Sequence, residues 1–185
     1  MNTSKKIAAA VLSGGQSSRM KQNKAQLQLN NQSLEQRQIQ VLSNCNVHSI
    51  YNCDNKHIID RFKNQGPLAG IDALFQQNDF NEHDFCICLP VDMPNLNTDI
   101  IERLIDFSVS SNHSTAFKNS ILPLVFPINS QVKNWLEHQL KNESNWSINA
   151  FSKFLNTQFI NVDSNYLLNI NTPEQWEEYL QHECN

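Results

Sequence analysis

The residues with the clearest chemical potential lie near the amino terminus, where glycines are followed by cations. Ser13-Gly14-Gly15 comes directly after an apolar run at residues 7–12, and Arg19 and Lys24 follow it closely. Glycines let backbone N–H groups approach a ligand, and successive exposed N–H groups form an anion-binding concavity. Arg and Lys supply the positive charge that binds phosphate. The pattern therefore predicts a phosphate-binding loop after a buried strand.

The spacing of these residues differs from two well-known phosphate motifs. It has neither the Gly-x4-Gly-Lys-Ser/Thr of the P-loop nor the Gly-x-Gly-x-x-Gly of dinucleotide-binding folds. A Gly-Gly pair alone is common in turns, so the alternative interpretation is a surface loop with two solvated cations. The strand before the glycines and the two cations after them favour phosphate binding.

A second candidate is a carboxylate held between two prolines. Pro90-Val91-Asp92-Met93-Pro94 follows an almost continuous apolar run at residues 85–89, which is typical of a central buried strand. Proline restricts the backbone on either side of Asp92. Mg²⁺ prefers hard oxygen ligands, often one or two carboxylates together with phosphates. Asp92 is therefore a candidate magnesium ligand, and the alternative is an aspartate that caps a helix predicted to begin near Thr98.

The third stretch is Gly66-Pro67-Leu68-Ala69-Gly70. Pro67 suits the first position of a helix, which we expect to continue to about Gln77. The two glycines permit close approach of the backbone to a flat base. Alone the stretch predicts a helix start, and beside the first loop it favours a surface for a nucleotide base.

Strands and helices are predicted to alternate, which indicates an α/β layered fold with a mostly parallel sheet. Ser33 with Gln36, and Thr172 with Gln175, fit capping boxes at helix starts, and Asn30-Asn31 fits a turn. The predicted strands are 7–12, 25–29, 47–52, 84–89, 114–118, 122–127, 157–162 and a brief one at 167–170. The predicted helices are 33–43, 67–77, 98–110, 130–141, 147–155 and one that begins at 173.

Composition excludes several classes of protein. With 14 cations against 18 anions the net charge is −4, and no basic run is longer than Lys5-Lys6, which argues against nucleic-acid binding. No apolar run has the roughly 18 residues of a membrane span. The short run after Lys5-Lys6 ends in the glycine turn, so we expect no signal peptide and a cytoplasmic protein.

The cysteines give no sign of a disulfide framework or a zinc site. There are five, an odd number, and none forms a Cys-x-x-Cys pair. Cys86 and Cys88 would point to one face of the predicted central strand. We expect them to be buried free thiols.

Four blocks of sequence, in order, resemble one family. Leu12-Ser13-Gly14-Gly15-Gln16-Ser17-Ser18-Arg19-Met20, followed by Lys24, is similar to the signature of the molybdenum cofactor guanylyltransferases. The resemblance continues at residues 66–70, at residues 90–94 and at Asn169-Ile170-Asn171-Thr172-Pro173-Glu174. Together the blocks span nearly the whole chain.

The resemblance implies a three-layer Rossmann-like nucleotidyltransferase fold with a mostly parallel mixed central sheet. It implies one domain, with a nucleotide-binding half over about residues 1–110 and an acceptor-side half over about 111–185. The implied reaction transfers GMP from GTP to molybdopterin with Mg²⁺ and releases pyrophosphate. Implied protein partners are molybdoenzymes or their chaperones, and a GTP-binding accessory protein of the same pathway.

The resemblance also assigns roles to individual residues. A carboxylate such as Asp60 suits guanine, which presents two neighbouring N–H donors, and amides such as Asn169 and Asn171 suit a pterin. The alternatives are a solvated aspartate at Asp60, an ordinary turn at Asn52, and asparagines at 169 and 171 that only shape a turn. The implied catalytic residues are Arg19, Lys24 and Asp92, with Asp92 as metal ligand, and Asn169 and Asn171 would bind the acceptor. The implied nucleotide-binding residues are Leu12, Ser13, Gly14, Gly15, Lys24, Asn52, Asp60, Gly66, Pro67, Leu68, Gly70 and Asp92.

The chain departs from the family pattern mainly on the acceptor side. Leu122 stands before Pro123 where the family often has His, and Asn145-Trp146 stands where it often has basic residues. Lys21 replaces a glycine in the first loop, where it would either strain the loop or add a phosphate contact. Two rival functions therefore stay open: another nucleotidyltransferase that uses CTP or a sugar phosphate, and a GTP-binding protein without activity. Gly14, where related cytidylyltransferases have Ala, and the 66–70 block favour guanine.

Overall fold

The computed structural model describes residues 5–14, 24–54, 56–62, 65–142 and 146–183, and it is built around a six-stranded sheet with a separate two-stranded hairpin. The hairpin joins β2 and β3 through Asn30 and Asn31, which both have positive φ. In space the six strands follow the order β4-β1-β5-β7-β6-β8. The strands are β1 (Ile7–Leu12), β2 (Gln28–Leu29), β3 (Gln32–Ser33), β4 (Ser49–Cys53), β5 (Phe85–Pro90), β6 (Thr115–Phe117), β7 (Ser120–Pro127) and β8 (Gln158–Ile160).

Strand direction confirms a mixed, mostly parallel sheet. β1 pairs in parallel with both β4 and β5, and β6 pairs in parallel with β8. β7 is antiparallel to its two neighbours, β5 and β6. Five strands therefore share one direction and β7 opposes them. The pairing of β5 with β7 joins strands of the predicted nucleotide-binding half to strands of the predicted acceptor-side half.

Helices cover both faces of the sheet, so the fold has three layers. Ala8 and Ala10 of β1 pack in one buried cluster with α2, α4 and α5, whereas Ile7, Ala9 and Val11 pack in another with α1 and α3. This arrangement explains why β1 and β5 are apolar and buried along their whole lengths. The helices are α1 (Leu34–Ser43), α2 (Gly66–Leu74), α3 (Thr98–Ser111), α4 (Ser130–Lys141), α5 (Ile148–Phe154) and α6 (Pro173–Glu183).

The sequence predictions are confirmed for the main elements and wrong at three places. Ser33 and Gln36 form the predicted capping box, and Thr172 and Gln175 exchange the same two hydrogen bonds. Residues 24–26 form a 3₁₀ turn, so only Gln28–Leu29 of the predicted strand 25–29 is a strand. The predicted helix 67–77 ends at Leu74.

The third error is the predicted strand at 167–170. A 3₁₀ turn occupies Ser164–Leu167, and Asp163 caps it through a bond from the Asn165 N–H. After the turn, the Ile170 N–H donates to the Asp92 carbonyl at 2.9 Å. This segment is therefore tied to the loop after β5 instead of forming a strand.

Four of the five cysteines lie in the described part of the chain, and all four are free and buried. The Sγ atoms of Cys86 and Cys88 are 3.8 Å apart on one face of β5, as predicted. Burial, helped by Glu102, raises the pKa of Cys45 to about 12, and burial also raises the pKa values of Cys53 and Cys88. A raised pKa keeps the thiols of Cys45, Cys53 and Cys88 protonated at neutral pH, as is typical of structural core cysteines. Cys184 lies outside the described residues. Among those described, no helix has the length and apolar character needed to cross a membrane.

Candidate active site

The candidate site lies at the edge of the sheet where β1, β4 and β5 end. Leu12 pairs with Cys53 on one side and with Pro90 on the other, so the three strands end at the same level. Because β7 runs in the opposite direction, its first residues, from Ser120, reach the same edge. Ligands of open α/β sheets bind beyond the carboxyl ends of strands. The topology therefore brings Gly14, Asn52 and Asp92 together with the β6–β7 turn.

An open cavity of about 480 Å³ lies at this edge. Its walls come from both halves of the chain, and five of the residues predicted from sequence line it: Leu12, Gly14, Pro67, Asp92 and Asn169. The other lining residues are Pro90, Val91, Met93, Asn119, Ser120, Ile121, Leu122, Ile148 and Asn149.

Lys24, Asp92 and Asn171 form one network beside this cavity. The Lys24 ammonium donates to Asp92 Oδ2 at 3.0 Å and to Asn171 Oδ1 at 2.7 Å. The Lys24 and Asp92 side chains are only 14% and 20% exposed, so their ion pair is partly shielded from water. The network therefore links a predicted phosphate-binding residue, the predicted metal ligand and a predicted acceptor-binding residue.

Backbone contacts from two directions fix the position of Asp92. Its carbonyl accepts the Ile170 N–H at 2.9 Å, and the carbonyl of Met93 accepts Nε2 of buried Gln38 at 2.8 Å. Asp92 does not cap α3, because Asn97 Oδ1 accepts the Ile100 N–H and performs that role. The capping alternative for Asp92 is therefore wrong, and its carboxylate faces the cavity.

The residues around Asp92 fit a magnesium ion that enters with its substrate. Within the described ranges, no three or more His, Cys, Asp or Glu residues cluster in a way that could hold a metal ion. Mg²⁺ commonly takes only one or two carboxylates and completes its coordination with phosphate oxygens and water. A single partly buried carboxylate suits that pattern, so the metal role of Asp92 stays a prediction that the geometry supports.

The first loop begins with hydrogen bonds to the end of β4. Ser13 Oγ donates to Asn52 Oδ1 at 2.9 Å, which orients both side chains. The Ser13 and Gly14 N–H groups both donate to the Cys53 carbonyl, at 3.2 and 2.7 Å. A phosphate contact from the Gly14 N–H would have to replace that bond. Gly15, Arg19 and Lys21 lie outside the described residues, so their predicted roles stay predictions.

The glycines of the 66–70 block have different structural roles. Gly66 has a φ of +62° at the start of α2, where a side chain would meet no heavy atom within 4 Å. Gly70 is buried, and a Cβ there would lie 3.5 Å from Leu12 Cδ2 and from Cys53 Cβ. These are ordinary van der Waals distances, so an alanine would also fit where α2 packs on the ends of β1 and β4. Leu68 is buried in the same helix.

The Asp60 carboxylate lies beside this packing contact. Its Oδ1 would be 3.8 Å from a Cβ at Gly70, so Asp60 lies against α2 near the ends of β1 and β4. Asp60 is not one of the residues that line the cavity, and its guanine-binding role stays a prediction. Nearby, Asp54 accepts the N–H groups of Lys56 and His57 and contacts the His57 ring. Burial alone would raise the pKa of Asp54, but these bonds lower it below its ordinary value. Asp54 thus holds the turn that follows β4.

On the acceptor side, Asn169 and Asn171 have different surroundings. Asn171 accepts from Lys24, and its N–H donates to Gln175 Oε1 at 2.7 Å. Asn169 Oδ1 is buried and has no hydrogen-bond partner among the residues that the structure describes. A buried polar atom without a partner is costly, and Asn169 also lines the cavity, so its predicted role in binding the acceptor stays a prediction.

Sequence reasoning missed the β6–β7 turn and the start of α5 as parts of the site. Asn119, with a φ of +74°, forms the turn together with Lys118, and Asn149 faces the cavity from α5. The signal was present, because Asn119 stands between the predicted strands 114–118 and 122–127, and asparagine favours such turns. Leu122 also lines the cavity. It stands before Pro123, at the position where the family often has His.

Comparison with known proteins shows what the chain is similar to. Residues 9–150 match the family described as the MobA-like NTP transferase domain. The chain belongs to this family. Because the match covers most of the chain, it also shows that the protein belongs to a family of nucleotidyltransferases and confirms the predicted fold class.

Individual relatives agree with the family. The chain is 27% identical to the "Probable molybdenum cofactor guanylyltransferase" of Carboxydothermus hydrogenoformans, over 95% of both proteins. Among solved structures it resembles molybdopterin-guanine dinucleotide biosynthesis protein A of Archaeoglobus fulgidus (TM-score 0.66, 16% identity, 96% of this chain and 98% of that one). It also resembles 4-diphosphocytidyl-2C-methyl-D-erythritol synthase of Anaerococcus prevotii (TM-score 0.69, 10% identity, 98% and 99%). At these identities the structures show a shared fold, and the choice of nucleotide depends on the site.

Proposed function

We propose that this chain transfers GMP from GTP to the terminal phosphate of molybdopterin, releasing pyrophosphate and forming molybdopterin guanine dinucleotide. The observation that carries the proposal is the network in which Lys24 contacts both Asp92 and Asn171 at the wall of a cavity shared by the two halves of the chain. A transfer between two large substrates needs such a junction, because the nucleotide and the acceptor must meet at one phosphorus atom.

On the nucleotide side, the residues provide positioning and charge. Phosphoryl-type transfer depends on positioning and charge neutralisation more than on covalent chemistry. A general base is not needed, because the attacking phosphate is already anionic. Ser13, Gly14 and Lys24 would face the triphosphate, with Arg19 and Gly15 completing the loop. The Lys24 ammonium would exchange its present carboxylate partner for phosphate oxygens, because a triphosphate carries more negative charge.

Asp92 is the residue that would hold Mg²⁺. The bound ion would neutralise phosphate charge as it develops on the departing pyrophosphate. Once Lys24 turns to phosphate, both oxygens of the Asp92 carboxylate become available. The backbone bond from Ile170 keeps that carboxylate at the cavity wall.

On the acceptor side, neutral amides would bind the pterin. Asn169 offers an unpaired buried acceptor, and Asn119 and Asn149 line the same cavity. A pterin ring carries both donors and acceptors, which amides can match. Leu122, Ile121 and Ile148 add apolar surface for the flat ring.

The test is pyrophosphate release with each of the four nucleoside triphosphates, with and without molybdopterin. We expect release with Mg·GTP only when molybdopterin is present. Faster release with CTP would support the cytidylyltransferase alternative. GTP binding without release in the presence of molybdopterin would support a binding protein, and either result would contradict the proposal.

A further inference from the structure

An ion pair with one buried partner involves Arg61, the residue that follows the predicted guanine-binding Asp60. Asp72 of α2 is only 1% exposed, and Arg61 binds it with two parallel hydrogen bonds, from Nε at 2.9 Å and from Nη2 at 2.8 Å. The more distant partner of Arg61 is Glu137, at 3.8 Å. Arg61 follows Asp60 in the chain, so this pair holds the backbone next to the carboxylate that would read the base.

The chain around Asp60 has no regular structure of its own. Residues 56–62 form neither helix nor strand, so side-chain contacts must set their position. Asp54 fixes the start of the segment through the N–H groups of Lys56 and His57, and Ile58 is buried in the core. Arg61 fixes its end on α2.

Two consecutive residues of this segment are placed against the same helix. Asp60 Oδ1 lies beside Gly70, and the Arg61 guanidinium lies on Asp72, two residues further along α2. The Phe62 ring lies 5.4 Å below the guanidinium carbon and supports it from another side. The position of the Asp60 carboxylate relative to Leu12 and the cavity is thus coupled to the Arg61–Asp72 pair.

Stability alone is a weak reason for this pair. Desolvation of the buried Asp72 carboxylate offsets much of the attraction, and water screens the Arg61 side chain, which is 36% exposed. A bidentate pair does fix geometry, since the planar guanidinium fork fits a carboxylate in one orientation. Hydrogen bonding to Asp72 raises the pKa of Arg61 further, which keeps the fork charged.

We infer that Arg61, clamped by Asp72, is a positioning residue that sets guanine selectivity by holding Asp60 in line with the base. The inference rests on the proposed function for its choice of base. A carboxylate reads guanine through N1–H and the 2-amino group at once, so both of its oxygens must lie in the plane of the base. Inosine triphosphate, ITP, lacks the 2-amino group, and the ratio of the ITP and GTP dissociation constants therefore measures this alignment.

The test is equilibrium binding of Mg·GTP and Mg·ITP to four proteins: wild type, Arg61→Lys, Asp60→Ala and the double variant. Lysine keeps the charge but cannot form the bidentate pair, so we expect Arg61→Lys to reduce the preference for GTP by about tenfold, the scale of one charge-assisted hydrogen bond. In the Asp60→Ala background the same change should have no further effect on the preference. A purely structural role would not produce that non-additivity.

Glu137→Gln is the matched control, because it removes the weaker partner of Arg61 and leaves Asp72 in place. It should keep the wild-type preference. If Arg61→Lys unfolds the chain, Asp72→Asn, which keeps the side-chain volume, is measured in the same cycle.

Three results would overturn the inference: a wild type that does not prefer GTP over ITP, an Arg61→Lys preference within twofold of wild type, or an equal effect in the Asp60→Ala background. Selective GTP binding without GMP transfer would instead remove the proposed function and leave the inference standing.

Discussion

At the scale of single residues, the site depends on a cation and a carboxylate that are paired before any substrate binds. The Lys24 ammonium and the Asp92 carboxylate lie 3.0 Å apart in a position that is partly shielded from water. The two opposite charges are therefore already at the place where phosphate and metal would bind. Asn171 holds the ammonium from the acceptor side. Binding of GTP and binding of the acceptor would therefore both affect the same lysine.

Asp92→Asn should reduce kcat for GMP transfer by roughly a hundredfold or more, since it removes a carboxylate that would hold the metal at the reacting phosphates. The free energy of unfolding should fall by about 1–3 kcal/mol, because the Lys24 ammonium loses its carboxylate partner at a place that is largely shielded from water. Steady-state kinetics and urea denaturation measure the two quantities.

Asp84→Asn is the matched control for this prediction. Asp84 also pairs with a lysine, Lys5 at 2.9 Å, but it lies at the opposite end of β5. The Asp84→Asn variant should therefore have the kcat of wild type. Activity of Asp92→Asn within threefold of wild type would remove Asp92 from the reacting centre.

At the scale of elements, α2 shows how position decides what a glycine contributes. Gly66 has a positive φ and open space around it, so Gly66→Ala should cost about 1–2 kcal/mol through the backbone alone. Gly70 lies inside the helix, where an added Cβ makes ordinary contacts at 3.5 Å. Gly70→Ala should therefore be neutral or stabilise by up to about 1 kcal/mol. Urea denaturation compares the two variants, and a larger loss for Gly70→Ala would contradict this account.

The elements were predictable from sequence where local signals agreed with burial. The apolar runs of β1 and β5 and the capping box at Ser33 give the right strands and helix start, because each signal acts within a few residues. The predicted strand at 167–170 was wrong because the fold of this segment depends on Asp92, far away in the chain. A long-range backbone bond leaves no local pattern.

The candidate site was likewise predictable from sequence only in part. Gly14 and Asp92 were proposed because a glycine pair and a carboxylate between prolines each follow an apolar strand, whereas Asn169 was proposed from the resemblance to the family. The Arg61–Asp72 pair was not found, because a charged residue in an amphipathic segment usually lies at the surface. Only the structure shows that Asp72 is buried and that Arg61 reaches it.

At the scale of the whole molecule, pH acts on stability through carboxylates whose pKa is lowered by folding. The Lys5 ammonium and the Lys6 N–H hold the pKa of Asp84 below its usual range, and the bonds to Asp54 outweigh the effect of its burial. A group with a depressed folded pKa stabilises the protein above its unfolded pKa of about 4 and loses that contribution as pH falls through the folded value.

Stability should therefore decline below about pH 4, and Asp84→Asn should make the decline shallower. The contribution of this pair at pH 7 should be at most about 1 kcal/mol, because the Asp84 side chain is 38% exposed and solvent screens it. Urea denaturation from neutral to acidic pH gives the curves. Asp106→Asn, which changes an exposed residue of α3, is the control. If the free energy of unfolding falls with decreasing pH as steeply in Asp84→Asn as in Asp106→Asn, Asp84 does not contribute to the decline.

Residues from both halves of the chain line one cavity, and the proposed reaction transfers a nucleotidyl group between two substrates bound there. The direct measurement is the fate of radioactive phosphorus placed in GTP at either the α or the γ position, during incubation of the protein with Mg²⁺ and molybdopterin. Label from the α position should appear in a molybdopterin dinucleotide, and label from the γ position should appear in pyrophosphate. Label from the γ position in the acceptor product, or α label in free GMP or GDP alone, would contradict the claim.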